Sequence, residues 1–127
     1  MGRPIFDEAL IHPAIRDKIA GWRVEIVREV QDVVSSHAIV VVGMSMNPFP
    51  RKARKLLEAA GLEYTYLGYG SYLSGYRRRL PLKMWTGWPT FPMIFVKGVL
   101  IGGANDLERL IASGELKRRL EEEVARA

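Results

Sequence analysis

A short apolar run, Ala38 to Val42, constrains the fold more than any other segment of this sequence. The run is mostly β-branched and too short to form a helix of its own, and it contains no polar residue to face solvent. Strands that are buried on both faces have this composition, and they occur mainly in sheets with parallel neighbours that helices cover. The segment therefore predicts a central strand of an α/β sheet.

Patterns on either side of this strand supply the remaining elements. Before it, apolar residues recur at spacings of three and four from Ile15 to Val33, and Gly21 interrupts them, so one buried helical face or two helices are predicted. The elements predicted after it are a helix over 48–60, a strand over 63–67, a helical segment over 71–85 that Pro81 kinks or divides, strands over 90–96 and 99–101 joined as a hairpin, a helix that begins with an Asn105–Glu108 capping box, and a last helix over 116–124. This order predicts a mixed four-stranded sheet with helices on both faces.

Composition restricts the chemistry further. The chain has 127 residues, a length typical of a single domain. No apolar run approaches the ~18 residues that a membrane span requires. Its first residues do not resemble a secretory signal, so we expect a cytoplasmic protein without a membrane partner. The cysteine count is zero, which excludes disulfides, zinc–thiolate sites, iron–sulfur ligation and thiol chemistry by this chain.

The basic residues are clustered, and the formal net charge is +5. Four of them lie on the solvent side of the helix predicted over 48–60: Arg51, Lys52, Arg54 and Lys55. A basic face permits binding to nucleic acid or to an acidic partner, but such faces are commonly only solvated. His12 and His37 lack the spacing of a metal site, so no bound metal is expected.

Several motifs, in one order and spacing, carry a resemblance to a known family. They are the strand 39–42 with its proline-containing helix start, the segment 82–90 (LKMWTGWPT), Thr90-Phe91-Pro92, the segment 102–106 (GGAND) and the segment 113–116 (SGEL). Together they resemble the thioredoxin fold and specifically the glutaredoxins, the monothiol members above all. The resemblance covers about residues 22 to 120, which implies a glutaredoxin-like domain over 22–127, an N-terminal helical extension over 1–21, and a cis bond before Pro92.

The nucleophile of that family is missing from this chain. Asn47 stands where the family has its reactive cysteine, within Asn47-Pro48-Phe49-Pro50, and Met44 stands where the family has a lysine. An amide cannot become a thiolate, attack a disulfide or ligate iron. We therefore expect no catalytic residue here and interpret Asn47 as the N-cap of the following helix.

A glutathione groove is what the resemblance implies can remain. In the family the residue before the cis-proline pairs with glutathione through its backbone, which here is Phe91. Arg79 matches the arginine that meets the glycine carboxylate, and the helix start after Gly103 matches the site of the γ-glutamyl carboxylate. The expected ligand-binding residues are Asn47, Phe49, Arg79, Thr90, Phe91, Pro92, Gly103, Ala104 and Asn105.

The sequence thus favours a glutaredoxin-like binding module without redox chemistry, a pseudoenzyme that takes a glutathione-like peptide or a protein partner. It requires no cofactor, and glutathione is expected as a weak ligand. One alternative is a binder of nucleic acid or an acidic partner through the basic face, whose affinity would fall with a log–log salt slope of about 0.9 per phosphate contacted. Another is a glutathione-dependent oxidoreductase role within a complex that supplies the thiol.

The absence of sulfur nucleophiles generates a first prediction. Purified protein should not turn over a mixed disulfide of glutathione, because thiol–disulfide exchange requires an attacking thiolate. The measurement is the standard glutathione-coupled assay, with an active glutaredoxin as the positive control. Turnover comparable to that control would contradict the assignment of Asn47 to the nucleophile position.

Overall fold

The computed structural model of the protein describes residues 2–44, 48–69 and 76–126. After a short 3-10 turn at Glu8–Leu10, the elements are α1 (Pro13–Gly21), α2 (Val24–Ser36), β1 (Ile39–Gly43), α3 (Pro48–Ala59), β2 (Thr65–Gly68), α4 (Tyr76–Thr86), β3 (Met93–Val96), β4 (Val99–Gly102), α5 (Ala104–Ser113) and α6 (Glu115–Arg126). None of these described helices has the length and apolar character of a membrane span.

The four strands form one mixed sheet in the order β2-β1-β3-β4. β1 is parallel to β2, and β3 is antiparallel to both β1 and β4. The predicted parallel pair with its helical crossover and the predicted hairpin are therefore confirmed. β3 begins at Met93, three residues later than the sequence pattern predicts, because Pro92 has no N–H to contribute to the ladder.

Two helical layers cover the sheet, and alternate residues of β1 belong to different layers. Val40 and Val42 pack with the layer of α2 and α4, whereas Ile39 and Val41 pack with the layer of α3, α5 and α6. Every residue of β1 is buried, as predicted for a strand without a solvent face. The helices contribute Ile26, Val30 and Leu82 to the first layer and Ala53, Leu57, Leu107 and Leu116 to the second.

The N-terminal segment lies outside this core. Neither the 3-10 turn nor α1 contains a buried residue, and Ile19 on α1 is 52% exposed. The prediction of one buried apolar face from Ile15 to Val33 is therefore wrong for α1. The physical reason is the break after Gly21, where Arg23 adopts a left-handed conformation (φ 48°) that redirects the chain before α2 begins.

Two further expectations need correction. Of the two predicted effects of Pro81, a division of the helix is wrong, since α4 runs from Tyr76 to Thr86 through Pro81, and a kink stays a prediction. Residues 71–75 of the predicted segment lie outside the described residues. The capping box at Asn105 and Glu108 is also wrong. The N-cap of α5 is Gly103, two residues before Asn105, and the Asp106 carboxylate accepts a hydrogen bond from the Gly103 N–H at 2.9 Å.

The turn from β4 into α5 generates a stability prediction. Gly102 has φ +113°, and a Cβ there would lie 2.7 Å from Asp106 Cγ. Gly102→Ala should lower the free energy of unfolding by about 1–3 kcal/mol, because it strains the backbone and displaces the capping carboxylate. In the control, Gly21→Ala, the added methyl meets nothing within 4 Å, so stability should hold or rise slightly. Urea unfolding measures both, and equal stability of the two variants would contradict the prediction.

Candidate functional site

A groove lies between the segment before β3 and the start of α5. Its volume is about 440 Å³, within the range of small-molecule sites. The lining residues are Met44, Lys83, Trp88, Pro89, Thr90, Phe91, Pro92, Gly103, Ala104, Asn105 and Asp106. The sheet order explains this position, because β3 pairs with β1 and β4, so the segment entering β3 meets the end of β1 and the exit of β4.

Six of the nine expected ligand-binding residues line this groove: Thr90, Phe91, Pro92, Gly103, Ala104 and Asn105. The Phe91–Pro92 peptide bond is cis, as the resemblance implies. Phe91 is buried while Thr90 is exposed. The structure thus brings together two segments that are eleven residues apart in sequence, and their binding roles remain predictions.

The start of α5 is held in place by two side chains that the sequence analysis did not assign to the site. Asp106 caps the helix at Gly103, as described above. From α3, Lys52 Nζ donates to Asn105 Oδ1 at 2.9 Å and lies 3.5 Å from Glu108 Oε1. The first N–H groups of a helix have no intrahelical acceptor, and the helix dipole makes this end positive. The backbone of Ala104 and Asn105 therefore suits an anionic group in the groove.

Arg79 occupies a different position from these residues. Its side chain is 5% exposed, and Nη1 donates to the Tyr69 carbonyl at 2.9 Å. Tyr69 is also buried, and its hydroxyl donates to Glu29 Oε1 at 2.9 Å. Arg79 thereby joins α4 to the end of β2, and it is not among the described residues that line the groove. Its role toward a ligand carboxylate remains a prediction.

The remaining expected residues lie near the start of α3. Asn47 falls outside the described residues, and Phe49 lies in the first turn of α3. Met44 follows β1, is buried, and lines the groove. An apolar thioether thus occupies the end of the groove where the resemblance places a cation.

Lys83 is a groove residue that the sequence analysis missed. It lies on α4 one turn after Arg79, and its Nζ is 5.8 Å from the centroid of the Phe91 ring. The ammonium has no hydrogen bond or ion pair with any described residue. The sequence could have indicated Lys83 through its spacing of four residues from Arg79, which places both side chains on one side of a helix.

The two tryptophans of the segment 82–90 have different surroundings. Trp85 stacks on Phe95 at 6.1 Å between ring centroids and belongs to the core. Trp88 is a wall of the groove, and a Cβ on Gly103 would lie 3.8 Å from its Cζ2. Its Nε1 is buried and has no hydrogen-bond partner among the described residues. Both side chains are only partly exposed and pack against the core, which disfavours them as an open stacking surface for single-stranded nucleic acid.

The basic face of α3 is partly used by contacts within the chain. Lys52 binds Asn105, and the Arg54 guanidinium lies 4.6 Å from the Tyr66 ring centroid. Arg54 Nε also donates to the Tyr64 hydroxyl at 3.3 Å, which raises the pKa of Arg54. Two of the four cations therefore serve internal contacts, and this weakens the case for a nucleic-acid surface.

Comparisons with known proteins agree with this architecture. The glutaredoxin family model matches residues 39–101. A glutaredoxin-like protein of Dictyostelium discoideum is 40% identical over 102 residues, which span 80% of this chain and 83% of that protein. Oxidised glutaredoxin 2 of Chlamydomonas reinhardtii superposes with a TM-score of 0.68 at 27% identity, over 81% of this chain and 97% of that one. A buckwheat glutaredoxin–glutathione complex gives 0.71 at 25% identity, over 82% and 94%.

The sheet order and the groove beside a cis-proline define a thioredoxin-like fold. Within that class, the chain belongs to the glutaredoxin family. It is a member whose sequence contains no cysteine.

The buried position of Arg79 generates a third prediction. Arg79→Met should lower the free energy of unfolding by about 1–3 kcal/mol, because it leaves the buried Tyr69 carbonyl without this donor. Arg109→Met, on the exposed side of α5, is the matched control and should change stability by less than about 0.5 kcal/mol. Chemical denaturation of both variants measures the difference, and a negligible cost at Arg79 would show that its contact with Tyr69 is dispensable.

Proposed function

We propose that this protein binds glutathione or a glutathione-like peptide in the groove between the cis-proline segment and α5, without thiol chemistry of its own. The observation that carries the proposal is the combination of a formed groove with a cysteine count of zero. The groove brings together six of the nine residues expected to contact the ligand, while the chain has no sulfur nucleophile. Without a thiol, the groove can still bind a ligand, and binding is therefore the proposed function.

The chemistry of the groove suits a small acidic peptide. Phe91 and its neighbours can pair with an extended peptide backbone, and the N–H groups at the start of α5 can receive a carboxylate. Lys83 adds a cation at the Phe91 end. The buckwheat relative was solved as a complex with glutathione, which supports the same ligand class here.

Binding under this proposal is reversible and weak. The apolar Met44 supplies no charge, and no thiol is present to form a covalent or metal-mediated link. We therefore expect a millimolar dissociation constant, equivalent to about 4 kcal/mol. A protein partner that presents a similar peptide would gain additional contacts around the groove.

The proposal includes the cytoplasmic location expected from the sequence and the description of the protein as a pseudoenzyme. An oxidoreductase role within a complex that supplies the thiol would use the same groove. The two roles differ in what they need: peptide binding requires this chain alone, whereas oxidoreductase activity requires a cysteine from a partner.

An NMR titration with reduced glutathione tests the proposal. Amide shifts should move at Phe91, Ala104 and Asn105 as ligand is added into the millimolar range, with little dependence on salt. Gly103→Leu should abolish these changes, because its side chain would project beside Trp88 into the groove. Gly21→Leu is the control, since a Cβ at that position would meet nothing within 4 Å. An absence of shifts in the groove at tens of millimolar glutathione would overturn the proposal.

A further inference from the structure

We propose that a second copy of this chain docks on the N-terminal surface, which consists of residues 2–22 and the adjoining sides of α2 and α4. Two protomers would meet there in a two-fold symmetric dimer. No described residue lines both the groove between the cis-proline segment and α5 and the cavity of this surface. Dimerisation is therefore independent of the proposed ligand binding.

The N-terminal segment runs beside α4. Arg3 packs against Gly87 just after that helix, and its Cζ lies 2.7 Å from the position that a Cβ on Gly87 would take. Further along the segment, Glu8 lines the same cavity as Met84. The apolar side chains between Arg3 and Glu8 therefore join those of α1 and α4 in one surface.

Exposed apolar side chains are concentrated on this surface. Among the described residues, every large hydrophobic side chain that is exposed belongs to it except Val99 on β4. They are between 43% and 71% exposed: Ile5, Phe6, Leu10, Ile15, Ile19, Trp22 and Met84. Large exposed apolar patches are uncommon on soluble monomers and mark interaction surfaces.

α1 is too short to be stable by itself. It has nine residues and none of them is buried, although Ile15 and Ile19 lie one turn apart on it. Helices of this length are marginal in water unless tertiary packing stabilises an apolar face. We therefore expect the packing of α1 to be completed by a partner.

The shape of the surface favours a second copy as that partner. Its cavity has a volume of about 410 Å³, and apolar residues of α1, α2 and α4, such as Ile19, Val27 and Met84, line most of it. Phe6 and Leu10 protrude from the same surface and are 69% and 71% exposed. In a two-fold dimer, the protruding side chains of each protomer can enter the cavity of the other, because both protomers use the same patch.

Charge also favours an identical partner. The segment 2–22 is neutral, whereas the whole chain has a formal net charge of +5. Its charged residues are three bases and three acids: Arg3, Arg16, Lys18, Asp7, Glu8 and Asp17. Balanced charges let a surface meet its own copy without net repulsion. Anionic lipids and nucleic acids are bound by an excess of basic residues, which this segment lacks.

Sedimentation equilibrium of the full chain, from micromolar to near-millimolar concentration, tests the proposal. The wild type should form a dimer in this range. Ile19→Glu and Phe6→Asp should each weaken the dimer at least about tenfold, because dimerisation would bury a carboxylate without a partner. Val99→Glu is the matched control, since it adds the same charge at an exposed apolar residue outside the surface, and it should dimerise like the wild type.

The absence of cysteine from the sequence permits a second test, in which single introduced thiols report which residues meet. Phe6→Cys and Met84→Cys protomers, mixed and oxidised by air with a copper catalyst, should form a disulfide between the two variants. Mass spectrometry identifies this product. A mixture of Phe6→Cys with Val99→Cys is the control and should give little of the corresponding disulfide.

Three results would overturn the proposal. One is a wild type that stays monomeric at every concentration, a measurement that needs no variant. Another is a dimer that Ile19→Glu and Phe6→Asp leave unchanged. The third is a monomeric wild type that binds phosphatidylserine vesicles in a manner that Ile19→Glu abolishes, which would assign the surface to a membrane. None of these results bears on the titration with glutathione, which is decided by shifts in the groove.

Discussion

Burial of β1 on both faces is the constraint on which the rest of this structure depends. Val40 and Val42 hold one helical layer, and Ile39 and Val41 hold the other. Because β3 pairs with β1, the segment that enters β3 is brought beside the end of β1. The cis-proline segment, Met44 and the start of α5 therefore meet at one edge of the sheet. The groove is a consequence of strand order, so it persists in a chain that has no cysteine.

The polar groups of the groove favour recognition over reaction. Backbone N–H groups at the start of α5 and the Lys83 ammonium are donors that can hold carboxylates, but neither is a nucleophile toward sulfur. Met44 gives the end of the groove near β1 an apolar wall. These positive groups lie where the proposed peptide ligand would place its carboxylates. Under the proposed function, ligand binding rests on the scaffold, whereas thiol exchange needs a cysteine that this sequence does not contain.

Much of the fold could be predicted because it is encoded locally. The run 38–42, the proline at the start of α3 and the hairpin at 97–98 each act through neighbouring residues, and together they determine the sheet. The Thr90-Phe91-Pro92 and 102–106 motifs likewise indicated both walls of the groove. The features that the sequence does not reveal are those that packing decides. Arg79 and Lys83 carry the same charge one turn apart on one side of α4, and only the neighbours of each turn determine that Arg79 contacts Tyr69 whereas Lys83 lines the groove. The exposed apolar side of α1 is another such case, since spacing alone made it look continuous with α2.

The contact of Lys52 with Asn105 and Glu108 links two helices. α3 follows the position where the family has its cysteine, and α5 borders the groove. The paired side chains are partly exposed, so their contribution to stability is small. A change to Lys52 would nevertheless remove a contact at the start of α5, although Lys52 is not among the described residues that line the groove.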